Sequence, residues 1–255
     1  MSSESAVLVT GASTGIGAVY AERFARRGHD LVLVARNHER LRDETGVQVD
    51  ILQADLTQDS DIAAVEQRLR EDARIRILVN NAGTSIPGDF LHQSSDDITR
   101  LITLNVTSVA RLANAIAPRL AEAGEGAIVN IASVVGLGPE MGLTVYGATK
   151  AFVLFLSQGL DVELSAKGVY VQAVLPAATR TEIWQHSGKD VDTIPGVMEV
   201  DKLVDAALVG FDRRESVTIP PLHDETQWQT LNATRQAMLP GFAQSEPAAR
   251  YLSRS

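Results

Sequence analysis

Seven short, β-branched runs recur along this chain, and the segments between them carry a helical period. The runs are AVLVT (6–10), DLVLVA (30–35), VQVDILQ (47–53), IRILVNNA (75–82), AIVNIAS (127–133), VYVQAVL (169–175) and SVTIP (216–220). Several are apolar almost throughout, which suits strands covered on both faces. Between the first two runs, Ile16, Val19, Tyr20 and Phe24 share one helical face, with Gly28 at the C-terminal stop. Ile62, Val65 and Leu69 mark a helix before the fourth run, and longer helices are expected over 95–122 and 143–166. This rhythm predicts an α/β fold: a doubly wound sheet of about seven mostly parallel strands with helices on both faces.

No linker, repeat or low-complexity stretch interrupts the pattern, so residues 1–255 are expected to form a single domain. The polar segment 177–199 is too long to be an idle connection and is expected to act as a lid. Residues 224–255 read as a helix around Trp228, Leu231 and Met238, followed by a polar tail. The net charge of −9 argues against a nucleic-acid partner. The chain has no cysteine, which removes thiolate catalysis and disulfides. Its five histidines form no i, i+4 pair, so no metal site is expected. MSSES carries no basic leader, and runs such as AFVLFL fall far short of the ~20 residues that span a bilayer. A cytoplasmic protein without a membrane partner is expected.

The first strand leads straight into TGASTGIG, with Gly11, Gly15 and Gly17. In such folds ligands sit beyond the carboxyl ends of the strands. Glycines there admit a pyrophosphate close to the backbone, and a helix N-terminus offers it free N–H groups and a favourable dipole. Readers of NAD usually end their second strand in an acid that holds the ribose 2′-OH. Here Ala35 and Arg36 stand at that point. A guanidinium matches a 2′-phosphate in charge and in its fork of donors, so NADP(H) is preferred, with NAD(H) as the alternative.

Tyr146 and Lys150, in VYGATK, lie one helical turn apart on one face. A nearby ammonium favours a phenolate, which is expected to lower the tyrosine's pKa and make it a general acid/base at neutral pH. Taken alone, Y-x-x-x-K is a weak signal. Ser133 ends the fifth strand, on the same carboxyl edge as the glycine turn, where its hydroxyl could hold a substrate oxygen. Asn80 and Asn81 close the fourth strand, and Asn105 lies within the long helix after it.

TGASTGIG, NNAG, Asn105, Ser133 and Tyr146-Gly-Ala-Thr-Lys150 occur in order, with matching spacings, over residues 5 to about 220. Together they resemble the short-chain dehydrogenase/reductase family in its shorter subtype, whose fold is Rossmann-like. The resemblance implies a catalytic set of Asn105, Ser133, Tyr146 and Lys150. In it Tyr146 is the acid/base, and Lys150 lowers its pKa and binds the nicotinamide ribose. Ser133 polarises the substrate oxygen, and Asn105 holds a relay water. The implied cofactor contacts are Gly11, Ser13, Thr14, Gly15, Ile16, Gly17, Arg36, Asp55, Leu56, Asn81, Ala82, Gly83, Tyr146, Lys150, Pro176 and Thr181. Asp55 faces the adenine in this reading, Thr181 the carboxamide, and Asn81 also ties the central strands together. The family usually has Pro-Gly after strand six, whereas this chain has Pro176-Ala177, which restricts the backbone there.

The resemblance also implies a small-molecule carbonyl or alcohol substrate and a homodimer or homotetramer formed through the long helices. Leu137, Met141, Ile183 and Trp184 either line a mostly apolar substrate pocket or pack the lid against the body. A catalytically silent, cofactor-binding regulator on the same fold is the competing reading. Such a protein would be expected to lack one or more of the four catalytic residues, all present here. A longer-subtype sugar-nucleotide epimerase is disfavoured by length and glycine spacing.

Overall fold

The computed structural model describes residues 5–37, 46–182, 184 and 190–252. The chain divides into two compact units, Met1–Pro220 and Pro221–Ser255. In the first, seven strands form one parallel sheet: β1 (Ala6–Thr10), β2 (Asp30–Ala35), β3 (Val49–Gln53), β4 (Ile75–Asn80), β5 (Ala127–Ile131), β6 (Tyr170–Val174) and β7 (Val217–Thr218). Their order is β3-β2-β1-β4-β5-β6-β7, and every pairing is parallel. The order reverses between β1 and β4, the point at which a doubly wound sheet opens a crevice at its carboxyl edge.

The helices of this unit are α1 (Gly15–Arg26), α2 (Asp59–Glu71), α3 (Ser95–Ile102), α4 (Ser108–Ala123), α5 (Thr144–Leu164) and α6 (Val200–Asp212). They cover both faces of the sheet, as the apolar strands require. Alternation along β1 shows how. Ala6 and Leu8 pack with Ile62, Val65, Leu112 and Ile116 of α2 and α4. Val7 and Val9 pack with Tyr20, Phe24, Val204 and Leu208 of α1 and α6. Each such side chain contributes roughly 1.5–3 kcal/mol of burial. The second unit contains α7 (Glu225–Ala237), in which no residue is buried.

The expected doubly wound fold is the one that forms, with three local differences. β7 is only two residues long. α6 stands outside the elements expected from the sequence. The expected helix over 95–122 is broken: residues 103–107 form a wider π turn between α3 and α4. Side chains compete for the backbone there, since the Thr103 hydroxyl donates to Thr99 O at 3.0 Å and Ser108 to Leu104 O at 2.6 Å. The same turn carries Asn105 into the interior, where it is 1% exposed.

Residues 177–199 leave β6 and return to the start of α6. Thr179 pairs with Met198 in an isolated bridge. Arg180 donates to Asp192 at 2.6 Å and to Glu199 at 3.1 Å. The two ends of this segment are therefore stitched together at its base.

Candidate active site

At the carboxyl end of β1 the chain turns into α1 through Gly11 and Gly15, at φ +64° and +56°. A side chain at Gly11 would lie 2.9 Å from both Ala82 Cα and Asn81 Nδ2, and one at Gly17 would collide with the Gly11 carbonyl. These glycines are fixed first by the turn's own packing. Thr14 is the N-cap of α1, yet its side chain makes no capping bond, and the first turn holds no acid. The N-terminal N–H groups and the positive end of the helix dipole thus face outward, beside half-buried Ser13, Thr14 and Ile16. This cradle fits a phosphate.

Asn81, just past β4, closes the other wall. Its side chain donates to Thr10 O at 2.9 Å and to Gly11 O at 3.2 Å, tying β4 to the glycine turn. Arg36 follows β2 directly and is exposed, with its carbonyl held by Gln53 Nε2 at 3.0 Å. Asp55 lies past β3, where its Oδ1 accepts from both the backbone and the hydroxyl of Thr57. Leu56 beside it is buried. Thr181 sits over the turn, its Cγ2 3.3 Å from where a side chain on Gly15 would begin.

α5 starts beneath the same edge and carries Tyr146 and Lys150 on its sheet-facing side. Lys150 is 6% exposed, and its Nζ donates to Ile131 O at 2.9 Å, 5.7 Å from the centroid of the Tyr146 ring. Tyr146 is half-buried. Ser133, just past β5, donates to Pro176 O at 3.1 Å. Gly83 closes the group: a side chain there would begin 3.3 Å from Asn105 Oδ1 and 3.5 Å from Lys150 Nζ. Asn105 from the π turn, Ser133 from the end of β5, and Tyr146 and Lys150 from α5 are thus gathered at one sheet edge, beside the glycine turn.

The electrostatics correct one expectation. Burial pushes Tyr146 up to about 12, and the Ser133 hydroxyl only partly opposes this. Burial pushes Lys150 down to about 8. Burial, and not the ammonium, sets the direction of the phenol's shift in this arrangement. Tyr146 is therefore protonated at neutral pH.

The sequence matches the family model for short chain dehydrogenases over residues 5–192. The chain belongs to the short-chain dehydrogenase family. It is similar to a short-chain dehydrogenase from Sphingobium yanoikuyae solved in complex with NADPH: 64% identity, TM-score 0.95, with 97% of this chain and 100% of that one covered. It is also similar to a bulky-bulky ketone specific alcohol dehydrogenase from Comamonas testosteroni, at 56% identity and TM-score 0.92, covering 99% and 100% of the two chains. A curated relative, very-long-chain 3-oxoacyl-CoA reductase-A of Danio rerio, is 38% identical over 187 residues, 69% of this chain. The chain spans 58% of that relative's length.

The family's usual Pro-Gly causes no difficulty where it is replaced. Arg214 is the only non-glycine at positive φ among the described residues, so Ala177 sits in an ordinary backbone conformation. Pro176 is buried, and its carbonyl receives both Ser133 Oγ and Val134 N. Leu137 and Met141 are 38% and 52% exposed. Trp184 is held by its indole N–H on Thr179 O at 2.7 Å, and Ile183 lies outside the described residues. Among the described residues no cluster of His, Asp and Glu could hold a metal, and no helix is long and apolar enough to cross a membrane.

Three supporting residues were not singled out from the sequence. Thr10 Oγ1 receives the backbone N–H groups of Asn81 and Ala82, both at 3.0 Å. The Asn105 side chain accepts from Thr84 N and donates to Thr84 O and to Thr149 Oγ1. Thr149 in turn donates to Tyr146 O at 2.7 Å. Both amide hydrogens of Asn105 are thus spent on holding the π turn against α5, while its Oδ1 keeps one acceptor site beside Gly83. The signal available was each threonine's place inside a motif, TG, AGT and ATK.

Proposed function

We propose that this dehydrogenase is an NADPH-dependent reductase of ketones with bulky apolar substituents, catalysing the reverse alcohol oxidation as well. The observation that carries it is the Asn105–Ser133–Tyr146–Lys150 group beside an uncapped, acid-free helix N-terminus. NADPH, when bound, supplies the hydride. Gly11 to Gly17 and the α1 N-terminus hold its pyrophosphate, and Arg36 holds its 2′-phosphate. Asp55, Leu56, Asn81, Ala82, Gly83, Pro176 and Thr181 line the remaining cleft. Ser133 orients the carbonyl oxygen. Tyr146 delivers a proton to that oxygen as it becomes an alkoxide, a far stronger base than a phenolate, so a phenol near 12 still donates downhill.

The similarity to the bulky-ketone enzyme supports the substrate class, as does the apolar character of Leu137, Met141 and Trp184. The curated relatives support 3-oxoacyl thioesters as the second class to test. The cysteine-free chain suits a reducing compartment such as the cytoplasm. The decisive assay follows loss of reduced nicotinamide across aryl ketones, small ketones and 3-oxoacyl thioesters. Turnover of bulky ketones above the rest supports the reading. A preference for 3-oxoacyl thioesters would replace it, and no turnover of any carbonyl would favour the silent regulator. In the same assay, Arg36→Ala should raise KM for NADPH by roughly 10- to 100-fold while leaving KM for NADH unchanged, since charge-assisted bonds to phosphate are lost. Equal effects on both cofactors would dismiss the 2′-phosphate role.

A homo-oligomer is proposed as well. Phe155 and Val162 on α5 are 76% and 81% exposed, with open space over Gly159 between them. Such a stripe on a long helix suits a self-complementary contact. Light scattering should show a dimer or tetramer that Phe155→Asp weakens; a monomeric wild type would refute it.

A further inference from the structure

One buried polar chain lies outside the reaction just described. Asn80 and Asn130 are register partners on β4 and β5. Asn80 Nδ2 donates to Asn130 Oδ1 at 3.0 Å and to Val109 O of α4 at 3.3 Å. Asn130 Nδ2 donates to Ser157 Oγ at 2.9 Å, and Ser157 donates to Val153 O at 2.7 Å. The three side chains are 3%, 0% and 1% exposed. Two strands and two helices are joined by one directed line of hydrogen bonds.

Its end point on α5 matters. Ser157 lies seven residues beyond Lys150 and eleven beyond Tyr146, close to two and three whole turns, so the three share one stripe facing the sheet. Val153 and Leu154 are the buried apolar residues nearest Ser157, and Thr149, a turn and more towards Tyr146, is tied separately to Asn105. Apolar contact is non-directional, and alone it leaves a helix free to settle in neighbouring rotations. A hydrogen bond in a dry interior is directional and costly to leave unmade, so it selects one arrangement. Lys150 Nζ on Ile131 O ties α5 to the next residue of the same strand. Asn130 and Ile131 thus grip α5 at two levels, one of them at the reacting end.

We propose that Asn130 and Ser157 are positioning residues: through the Asn80–Asn130–Ser157 chain they fix the rotation and axial register of α5, and so the placement of Tyr146 and Lys150. The proposal rests on the functional reading above, in which those two side chains act on the substrate. A misplacement of about 1 Å costs roughly 100-fold in rate, whereas cofactor binding draws mainly on the β1 turn and tolerates it.

The test compares wild type, Ser157→Ala, Ser157→Thr and Asn130→Ala for kcat, ketone KM, NADPH affinity by fluorescence, and amide hydrogen exchange along α5. Ser157→Ala should lower kcat by about 10- to 100-fold, with KM and NADPH affinity within roughly threefold of wild type. Ser157→Thr keeps a hydroxyl able to bond the i−4 carbonyl and should restore kcat. Exchange over residues 146–157 should quicken in Ser157→Ala and Asn130→Ala and recover in the threonine variant. A Ser157→Ala enzyme with wild-type kcat, whatever its melting temperature, would overturn the proposal. Should wild type itself reduce no ketone, the functional reading fails, and exchange decides the tether separately: unchanged exchange in both alanine variants overturns it.

Discussion

Tyr146→Phe is expected to lower kcat for ketone reduction by about 10³-fold while NADPH still binds within roughly threefold of its wild-type affinity. The ring and its packing stay, and only the hydroxyl that delivers the proton is lost. Phenylalanine leaves Ser133 and Lys150 in place, so residual turnover would report hydride transfer without its proton donor. The fold should not suffer. Burial already holds the phenol neutral at about 12, so no charge is removed from the interior at neutral pH. A variant that melts at the wild-type temperature, binds NADPH and fails to reduce ketone is the expected result. Unchanged turnover would show that the proton comes from elsewhere, and the assignment of Tyr146 would fall.

The behaviour of this pair marks where sequence reasoning reaches and where it stops. β1 and β2 begin and end where the apolar runs do, because strands buried on both faces leave a continuous signal. The glycine turn was legible because positive φ and close approach exclude other residues. Asn105 was legible as an awkward polar residue in an apolar helix, but the π turn around it was not. The helical period runs through 95–122 without a break, and the partners that hold Asn105 inside, Thr84 and Thr149, lie far away in sequence. The direction of the Tyr146 shift was misjudged for a related reason. Spacing on a helix puts two groups on one face, but the balance of desolvation against attraction depends on what encloses them. Asn130 and Ser157 were not legible as a pair, since the bonds that join them to Asn80 and to each other span 50 and 27 residues.

Lys150→Met should abolish most activity and yet make the protein more stable at pH 7. Lys150 is buried, with one hydrogen bond to offset the loss of water, and its pKa has fallen from 10.5 to about 8. At pH 7 it is charged in both folded and unfolded chains, so the folded state carries the full desolvation cost, roughly 3 kcal/mol. Methionine fills a similar volume without that charge. The Ile131 carbonyl loses its partner, which returns about 1–2 kcal/mol of the gain. A net stabilisation of about 1–2 kcal/mol, or roughly 2–6 °C in Tm, is expected. The pH dependence follows from the sign of the shift. Between about pH 8 and 10.5 the unfolded chain keeps the Lys150 proton while the folded chain has released it, so wild-type stability climbs across that window. The gap between variant and wild type should therefore be widest below about pH 8, close at about pH 9 and reverse by about 10.5, where the neutral amine still bonds Ile131 O and methionine cannot. Urea melts of both proteins at pH 7 and across that range measure it directly. A variant less stable than wild type at pH 7 would mean that the ammonium is well paired in the fold, and that its place beside Tyr146 exacts no cost in stability.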